Sequence, residues 1–97
     1  MLSFKKVKKI LSSHKKYLTQ LGVRNLALFG SLARDEHSTK SDIDILIDFD
    51  ARRGLFVFMD IKHYLEKILG RDVDLVTKSA LHPALKKKIL LEAKHVF

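Results

Sequence analysis

The sequence predicts a small α/β (α+β) domain with three short strands and about four helices. Three apolar runs of strand length occur in the middle and the second half of the chain. Longer segments whose apolar residues recur every three or four positions lie before, between and after them. A chain of 97 residues can bury one modest core, so residues 1–97 are interpreted as a single domain without a second substrate-binding lobe.

The segment from Phe4 to Gln20 is predicted to form the first helix. Its apolar residues recur at spacings of three and four, and lysines occupy the other face. Ser3 can cap the first turn, and Gly22 lies where such a helix would end. The segment is therefore expected to pack as an amphipathic helix with a basic outer face.

Two further long helices are expected in the second half of the chain. The segment from Gly54 to Leu69 is unusually apolar, and Gly70 ends it. The last helix begins after Ser79 or His82, and Pro83 suits its first turn. Its predicted buried stripe consists of Leu85, Ile89, Leu90 and Ala93.

The three predicted strands are Leu26–Phe29, Asp42–Phe49 and Asp72–Thr77. A short helix, Leu32 to Glu36, and a polar loop, His37 to Ser41, connect the first two strands. This connection is shorter than a parallel crossover usually requires, which favours antiparallel pairing. The end of the first strand then lies beside the start of the second.

This pairing brings together residues that suit a metal ion and a phosphate group. Asp42 and Asp44 alternate with isoleucines, so both carboxylates project to one face of the strand. Buried anionic groups cost several kcal/mol each unless a cation compensates them, which favours a divalent metal. The turn at Gly30-Ser31 places backbone amides ahead of a short helix, an arrangement that favours a phosphate.

Composition restricts the class of protein further. The formal net charge is +8 and the isoelectric point is near 9.9, which favours nucleic acid, nucleotide phosphates or an acidic protein as a partner. There is no cysteine, which excludes disulfides and thiolate metal sites. We find no run of about 18 apolar residues that could span a bilayer, and no signal-peptide core. We expect a cytoplasmic protein with no membrane partner.

The central segment resembles a known enzyme superfamily. Gly30-Ser31, ten residues, and then Asp42-x-Asp44 match the GSx10DxD signature of the DNA polymerase β-like nucleotidyltransferases. The smallest members of this superfamily, the MNT minimal nucleotidyltransferases, are similar to two segments of this chain, LALFGSLARDEHSTKSDIDILIDF and LGRDVDLVT. The resemblance extends from about residue 4 to residue 92, and it implies a small mixed β-sheet flanked by helices.

The resemblance also implies a site and a reaction. The family has a third acid on a later strand, and Asp74 occupies that position in this chain. The resemblance implies that Asp42, Asp44 and Asp74 are the catalytic acids and hold two Mg²⁺ ions. Gly30 and Ser31 would bind the triphosphate of the nucleotide, with ATP as substrate. MNT proteins act as antitoxins beside a helical HEPN-type toxin, and members transfer AMP from ATP to a tyrosine of that toxin.

Arg34 is the predicted cation for the nucleotide phosphates. It lies close in sequence to the glycine-serine turn, and its guanidinium can bind two oxygens at once. Lys40 is a weaker candidate for the same role. Simple surface pairing of Arg34 with Asp35 or Glu36 is the alternative interpretation.

The apolar helix from Gly54 to Leu69 carries more large apolar side chains than a small domain can bury. One stripe supplies the core, which leaves Phe56, Phe58 and Met59 in excess. Excess apolar surface favours an interface, either in a homodimer or with a different partner chain.

Two other functions stay open at this point. One is a nucleotidyltransferase that acts on RNA ends, which would require the lysines of the first and last helices to form one stripe that leads to the acids. The other is an antitoxin that binds its toxin without catalysis. The intact acids favour the enzyme over the purely binding protein.

Overall fold

The computed structural model describes residues 2–34 and 42–97, and within these ranges the predicted fold class is confirmed. The α-helices are α1 (Phe4–Ser13), α2 (Lys15–Gln20), α3 (Gly30–Ala33), α4 (Leu55–Leu69) and α5 (Pro83–Glu92). The strands are β1 (Val23–Phe29), β2 (Ile43–Phe49), β3 (Val73–Thr77) and β4 (Lys94–His95). Two short 3-10 turns, Ala51–Arg53 and Lys78–Ala80, precede α4 and α5.

The strands form one mixed sheet in the order β3-β2-β1-β4. β1 and β2 are antiparallel, as the short connection predicts. β3 is parallel to β2, and β4 is antiparallel to β1. The end of β1 and the starts of β2 and β3 therefore lie at the same edge of the sheet.

The first predicted helix is interrupted at His14. The Ser13 hydroxyl donates to the Ile10 carbonyl at 2.6 Å, which is the acceptor that the His14 N–H would use in a continuous helix. The His14 N–H donates instead to the Leu11 carbonyl at 3.1 Å. The prediction of one continuous helix from Phe4 to Gln20 is therefore wrong, because the segment forms two helices. The predicted cap is confirmed, since the Ser3 side chain accepts from the Lys6 N–H.

Smaller differences occur at other element ends. β1 begins three residues earlier than predicted, and α3 begins at Gly30 rather than at Leu32. The predicted end of that short helix at Glu36 and the loop His37–Ser41 lie outside the described residues. β4 is a strand that the sequence did not predict, because two residues that pair with Ala27 and Leu28 carry no periodicity of their own.

The core lies on one face of the sheet. Ile43, Ile45 and Ile47 of β2 belong to it, whereas Asp44 and Asp48 alternate with them on the opposite face. The buried cluster, formed by the sheet with α1, α2, α3 and α4, contains Val7, Leu11, Leu18, Val23, Leu26, Leu28, Leu32, Ile43, Ile45, Ile47, Ile61, Leu65, Leu69, Val73 and Leu75. This packing leaves the acidic face available for a functional site.

The predicted buried stripe of the last helix is wrong. No described residue of α5 is buried, and Leu85 and Leu90 of the predicted stripe are exposed. The face of the sheet opposite the core carries Asp44, Asp48 and Asp74, and Leu46 is the buried apolar residue that β2 contributes to it. Ile89 and Ala93 are only partly buried.

Of the three residues predicted to be in excess on α4, the prediction is confirmed for Phe56 and is wrong for Phe58 and Met59. Phe56 is 86% exposed and Leu55 is also exposed, whereas Phe58 and Met59 are partly buried. Phe58 packs at the margin of the core, 6.0 Å from the ring of Phe49. Among residues 2–34 and 42–97, no helix has the length and apolar character needed to cross a membrane.

Candidate active site

The predicted acids lie in register across the sheet. Phe29 of β1 is opposite Asp44 of β2, and Asp44 is opposite Asp74 of β3. The Asp44 and Asp74 carboxyl groups are within hydrogen-bonding reach of each other. Asp42 precedes β2 by one residue and is exposed. The structure therefore brings these three acids to one edge, although they are separated by up to 32 positions in sequence.

Gly30 lies against the Asp44 carboxylate. A Cβ atom on Gly30 would be 2.0 Å from Oδ2 of Asp44, which is far inside a possible contact distance. The backbone at Gly30 has a φ angle of +70°, in the left-handed region that other residues rarely adopt. Only glycine combines this backbone conformation with so close an approach, so the turn and the acid are built as one unit.

Ser31 lies in the first turn of α3, directly after this glycine. In the first turn of any helix the backbone N–H groups lack intrahelical acceptors. Phe29, the residue before α3, provides no side-chain cap for them. Ser31 is partly buried, and its backbone belongs to a short turn beside the acids, where N–H groups suit phosphate oxygens.

The electrostatics of the site are centred on Asp44. Burial raises the pKa of Asp44, and the negative charges of Asp74 and Asp42 raise it further. The Arg34 guanidinium acts in the opposite direction, and the resulting pKa is about 6, above the ordinary value of 3.8. The cluster therefore carries more negative charge than its surroundings compensate.

Arg34 follows α3 and makes an ion pair that the sequence did not predict. Its Nη1 donates to Oε1 of Glu92 at the end of α5. The alternative partners Asp35 and Glu36 and the second candidate phosphate ligand, Lys40, lie outside the described residues. The charge of Arg34 acts on Asp44, and its side chain contacts a residue 58 positions away in sequence. Its role as a phosphate ligand stays a prediction.

Known proteins resemble this chain over almost its whole length. The family model for a nucleotidyltransferase domain matches residues 5–96. The chain belongs to this nucleotidyltransferase family. It is 42% identical over 97 residues to the protein adenylyltransferase MntA of Thermococcus cleftensis, with 99% of this chain and 98% of that protein covered. The predicted family and enzyme class are confirmed.

Solved structures agree on the fold. The structure of a protein described as a minimal nucleotidyltransferase superposes on this chain with a TM-score of 0.84 and 30% sequence identity. The superposition covers 96% of this chain and 95% of that protein's chain. Another contains a tri-AMPylated Shewanella oneidensis HEPN toxin in complex with an MNT antitoxin. That one has a TM-score of 0.60 and 22% identity, with 90% of this chain and 70% of that chain covered. At this identity the second likeness concerns the fold alone.

The donor set of this nucleotidyltransferase fits Mg²⁺ bound together with a nucleotide. Within the described ranges, no three His, Asp or Glu side chains converge into a ready-made metal cage. Asp44 and Asp74 are nevertheless paired, and a cation would relieve the charge that raises the pKa of Asp44. Mg²⁺ is usually held by one or two carboxylates, water and substrate phosphates rather than by a full protein cage.

Two cavities whose lining lies within the described residues are found at opposite ends of the sheet. A polar cleft of about 370 Å³ adjoins the acidic edge, where the Asp72 carbonyl accepts from the Ile43 N–H. It is lined by Glu66, Gly70, Arg71 and Asp72. An apolar cavity of about 290 Å³ lies where β2 and β3 end, and is lined by Phe49, Ala51, Gly54, Leu55, Phe58, Thr77 and Ala80. The apolar cavity is therefore remote from the acids.

The metal-free nucleotidyltransferase is expected to lose stability as the pH rises. Because the folded pKa of Asp44 lies above its ordinary value, the folded state binds more protons between pH 4 and 6. The resulting stabilisation is complete below about pH 4 and is lost as the pH rises through about 6. We expect a loss of about 1–2 kcal/mol, which allows for solvent screening of a partly exposed group.

Denaturant unfolding in a chelator, from pH 4 to 7.5, measures this effect. Asp44→Asn removes the titrating group. The stability of this variant relative to the unmodified chain should therefore increase as the pH rises from 4 to 7.5. Added Mg²⁺ at pH 7.5 should stabilise the unmodified chain more than this variant. Parallel pH profiles of the two proteins would contradict the expected role of Asp44.

Proposed function

We propose that the chain is an Mg²⁺-dependent protein adenylyltransferase that transfers AMP from ATP to a tyrosine of a HEPN-type toxin and so acts as its antitoxin. The observation that carries the proposal is the pairing of Asp44 with Asp74 beside Gly30. This arrangement occurs in a chain that is 42% identical to MntA of Thermococcus cleftensis over nearly all of both proteins. The catalytic and metal-binding residues proposed are Asp42, Asp44 and Asp74.

The proposed reaction is a nucleotidyl transfer. The acceptor oxygen forms a bond to the α-phosphorus of ATP, and the bond from that phosphorus to the oxygen bridging to the β-phosphorus breaks. Pyrophosphate leaves with the bridging oxygen and its electron pair. Two Mg²⁺ ions, when bound, would neutralise charge on the attacking and leaving oxygens.

The residues of the chain have separate tasks in this proposal. Asp42 and Asp44 bind cation and orient the triphosphate, while the backbone of Gly30 and Ser31 donates to phosphate oxygens. Asp74 lies at the outer side of Asp44, on the exposed part of the sheet, and accepts the proton of the acceptor hydroxyl. Arg34 contributes positive charge to the phosphates.

Two features support a protein as the acceptor. Asp42 and Asp74 are exposed, so a residue on another protein's surface can reach them. The chain also presents apolar side chains, Leu55 and Phe56, that the domain does not bury. Exposed large apolar groups of this kind are typical of protein interfaces. The solved Shewanella complex of an AMPylated HEPN toxin with an MNT antitoxin is a fold relative in which these two kinds of protein assemble.

The proposal predicts transfer of label to a protein. The chain is mixed with its HEPN-type partner, Mg²⁺ and ATP that is labelled at the α-phosphorus. We expect label on a tyrosine of the partner, identified by mass spectrometry. Changing that tyrosine to phenylalanine should remove the signal, because phenylalanine has no hydroxyl to attack the phosphorus.

The same assay distinguishes the other two functions. Total RNA is included in a parallel reaction, and label on RNA ends in place of the partner would favour the RNA-directed enzyme. Toxin neutralisation is then measured with Asp44→Asn. Full neutralisation by this variant, with no label on any protein, would favour an antitoxin that acts by binding alone.

A further inference from the structure

An ion pair joins the two elements that flank the acidic edge. Arg34 lies at the end of α3 and donates through Nη1 to Oε1 of Glu92, the last residue of α5. The side chain of Arg34 is 46% exposed, whereas that of Glu92 is only 18% exposed. The carboxylate is thus the more shielded partner, and an ion pair that is partly removed from water is screened less than a fully solvated one.

Both partners are fixed by the sheet. β1 leads directly into α3, and the Arg34 N–H donates to the Gly30 carbonyl at 3.2 Å. α5 ends two residues before Lys94, which pairs with Leu28 of β1. The two side chains therefore project from elements that are anchored at neighbouring points of one strand, although the residues are 58 positions apart.

Arg34 is near enough to Asp44 for its charge to act on that carboxylate, in addition to its contact with Glu92. Its positive charge acts on the Asp44 carboxylate and partly opposes the effect of burial and of the neighbouring acids on the pKa of that group. The guanidinium thus lies near the carboxylate that is proposed to bind the metal-nucleotide complex. An arginine has many rotamers, and a ligand gains affinity when the protein has already restricted them.

We propose that Glu92 is a positioning residue, which holds Arg34 in the orientation that binds the phosphates of the nucleotide. The inference rests on the proposed function, because it concerns the same nucleotide site. It makes the end of α5 part of that site, although α5 contributes nothing to the buried core. Glu92 acts on phosphate oxygens only through Arg34.

The test compares the binding of ATP and of adenosine by NMR titration of the full chain with Mg²⁺. Glu92→Ala should weaken ATP binding about 5- to 10-fold, because Arg34 loses its fixed orientation. Glu92→Gln keeps an acceptor oxygen and should lose about 2- to 3-fold. Adenosine lacks phosphates, so its binding should change less than about twofold in either variant.

A double-mutant cycle separates positioning from general support of the fold. In an Arg34→Ala background, Glu92→Ala should cause no further loss of ATP affinity, because the side chain that it positions is absent. Asp60→Asn is the matched control, since Asp60 is an exposed carboxylate on α4 and its change alters the net charge equally. This control should bind ATP as the unmodified chain does.

Several outcomes would overturn the inference. Equal losses for ATP and adenosine would assign Glu92 a structural role, as would a loss that persists in the Arg34→Ala background. Unchanged or tighter ATP binding by Glu92→Ala would show that Glu92 does not orient Arg34 for phosphate. If the unmodified chain binds no ATP, the proposed function fails and this inference fails with it. If the unmodified chain binds ATP, a failure concerns Glu92 alone.

Discussion

Changing Asp44 or Asp74 to asparagine is expected to reduce AMP transfer by at least about 10³-fold while the fold stays intact. Asparagine keeps the size of the side chain but removes the negative charge that would bind the cation. In the metal-free chain the change instead removes the repulsion between the two carboxylates, because Asp44 and Asp74 lie side by side on neighbouring strands. Activity and stability should therefore move in opposite directions for Asp44→Asn at neutral pH.

Initial rates of label transfer, together with denaturant unfolding at pH 7.5, check both halves of this prediction. Asp48→Asn is the matched control, because Asp48 lies on the same strand and the same face as Asp44 but pairs with Arg24 at 3.2 Å. The control should retain nearly full transfer. An Asp44 variant with more than a tenth of the normal rate would rule out this acid as a metal ligand of the reaction.

The part of the fold that holds the site follows from local sequence patterns. The alternation of acids and isoleucines from residue 42 fixes which face of β2 carries charge. The shortness of the connection between β1 and β2 fixes their antiparallel pairing, and this pairing brings Gly30 to Asp44. The prediction of Asp74 as the third acid depends on the family resemblance, and the parallel register of β2 with β3 sets it opposite Asp44.

What the sequence did not predict depends on contacts between distant residues. Glu92 has no local pattern that marks it as a partner of Arg34, because the pair forms only after α5 and α3 are set against the same strand. The apolar residues of α5 have helical spacing typical of burial, yet none of them is fully buried in the folded chain. The break at His14 depends on one hydroxyl that takes a backbone acceptor.

Gly30→Ala is expected to cause the second large effect, a loss of both stability and transfer. An alanine in the left-handed conformation costs about 1–2 kcal/mol. Its Cβ would in addition lie 2.0 Å from Oδ2 of Asp44, so the acid or the turn must move. A displacement of about 1 Å at a positioned catalytic group can reduce a rate by about 10²-fold.

Gly70→Ala isolates the backbone part of this effect. Gly70 has a φ angle of +66°, close to the +70° of Gly30, but an added Cβ there would meet nothing within 4 Å. Both variants should lose similar stability from the backbone, while only Gly30→Ala should lose transfer, measured as the initial rate of labelling at saturating ATP. If Gly70→Ala lost as much transfer as Gly30→Ala, backbone strain would explain the defect. If Gly30→Ala alone is inactive, the reaction requires the close contact between Gly30 and Asp44, because the carboxylate occupies the space that a Cβ atom on residue 30 would need.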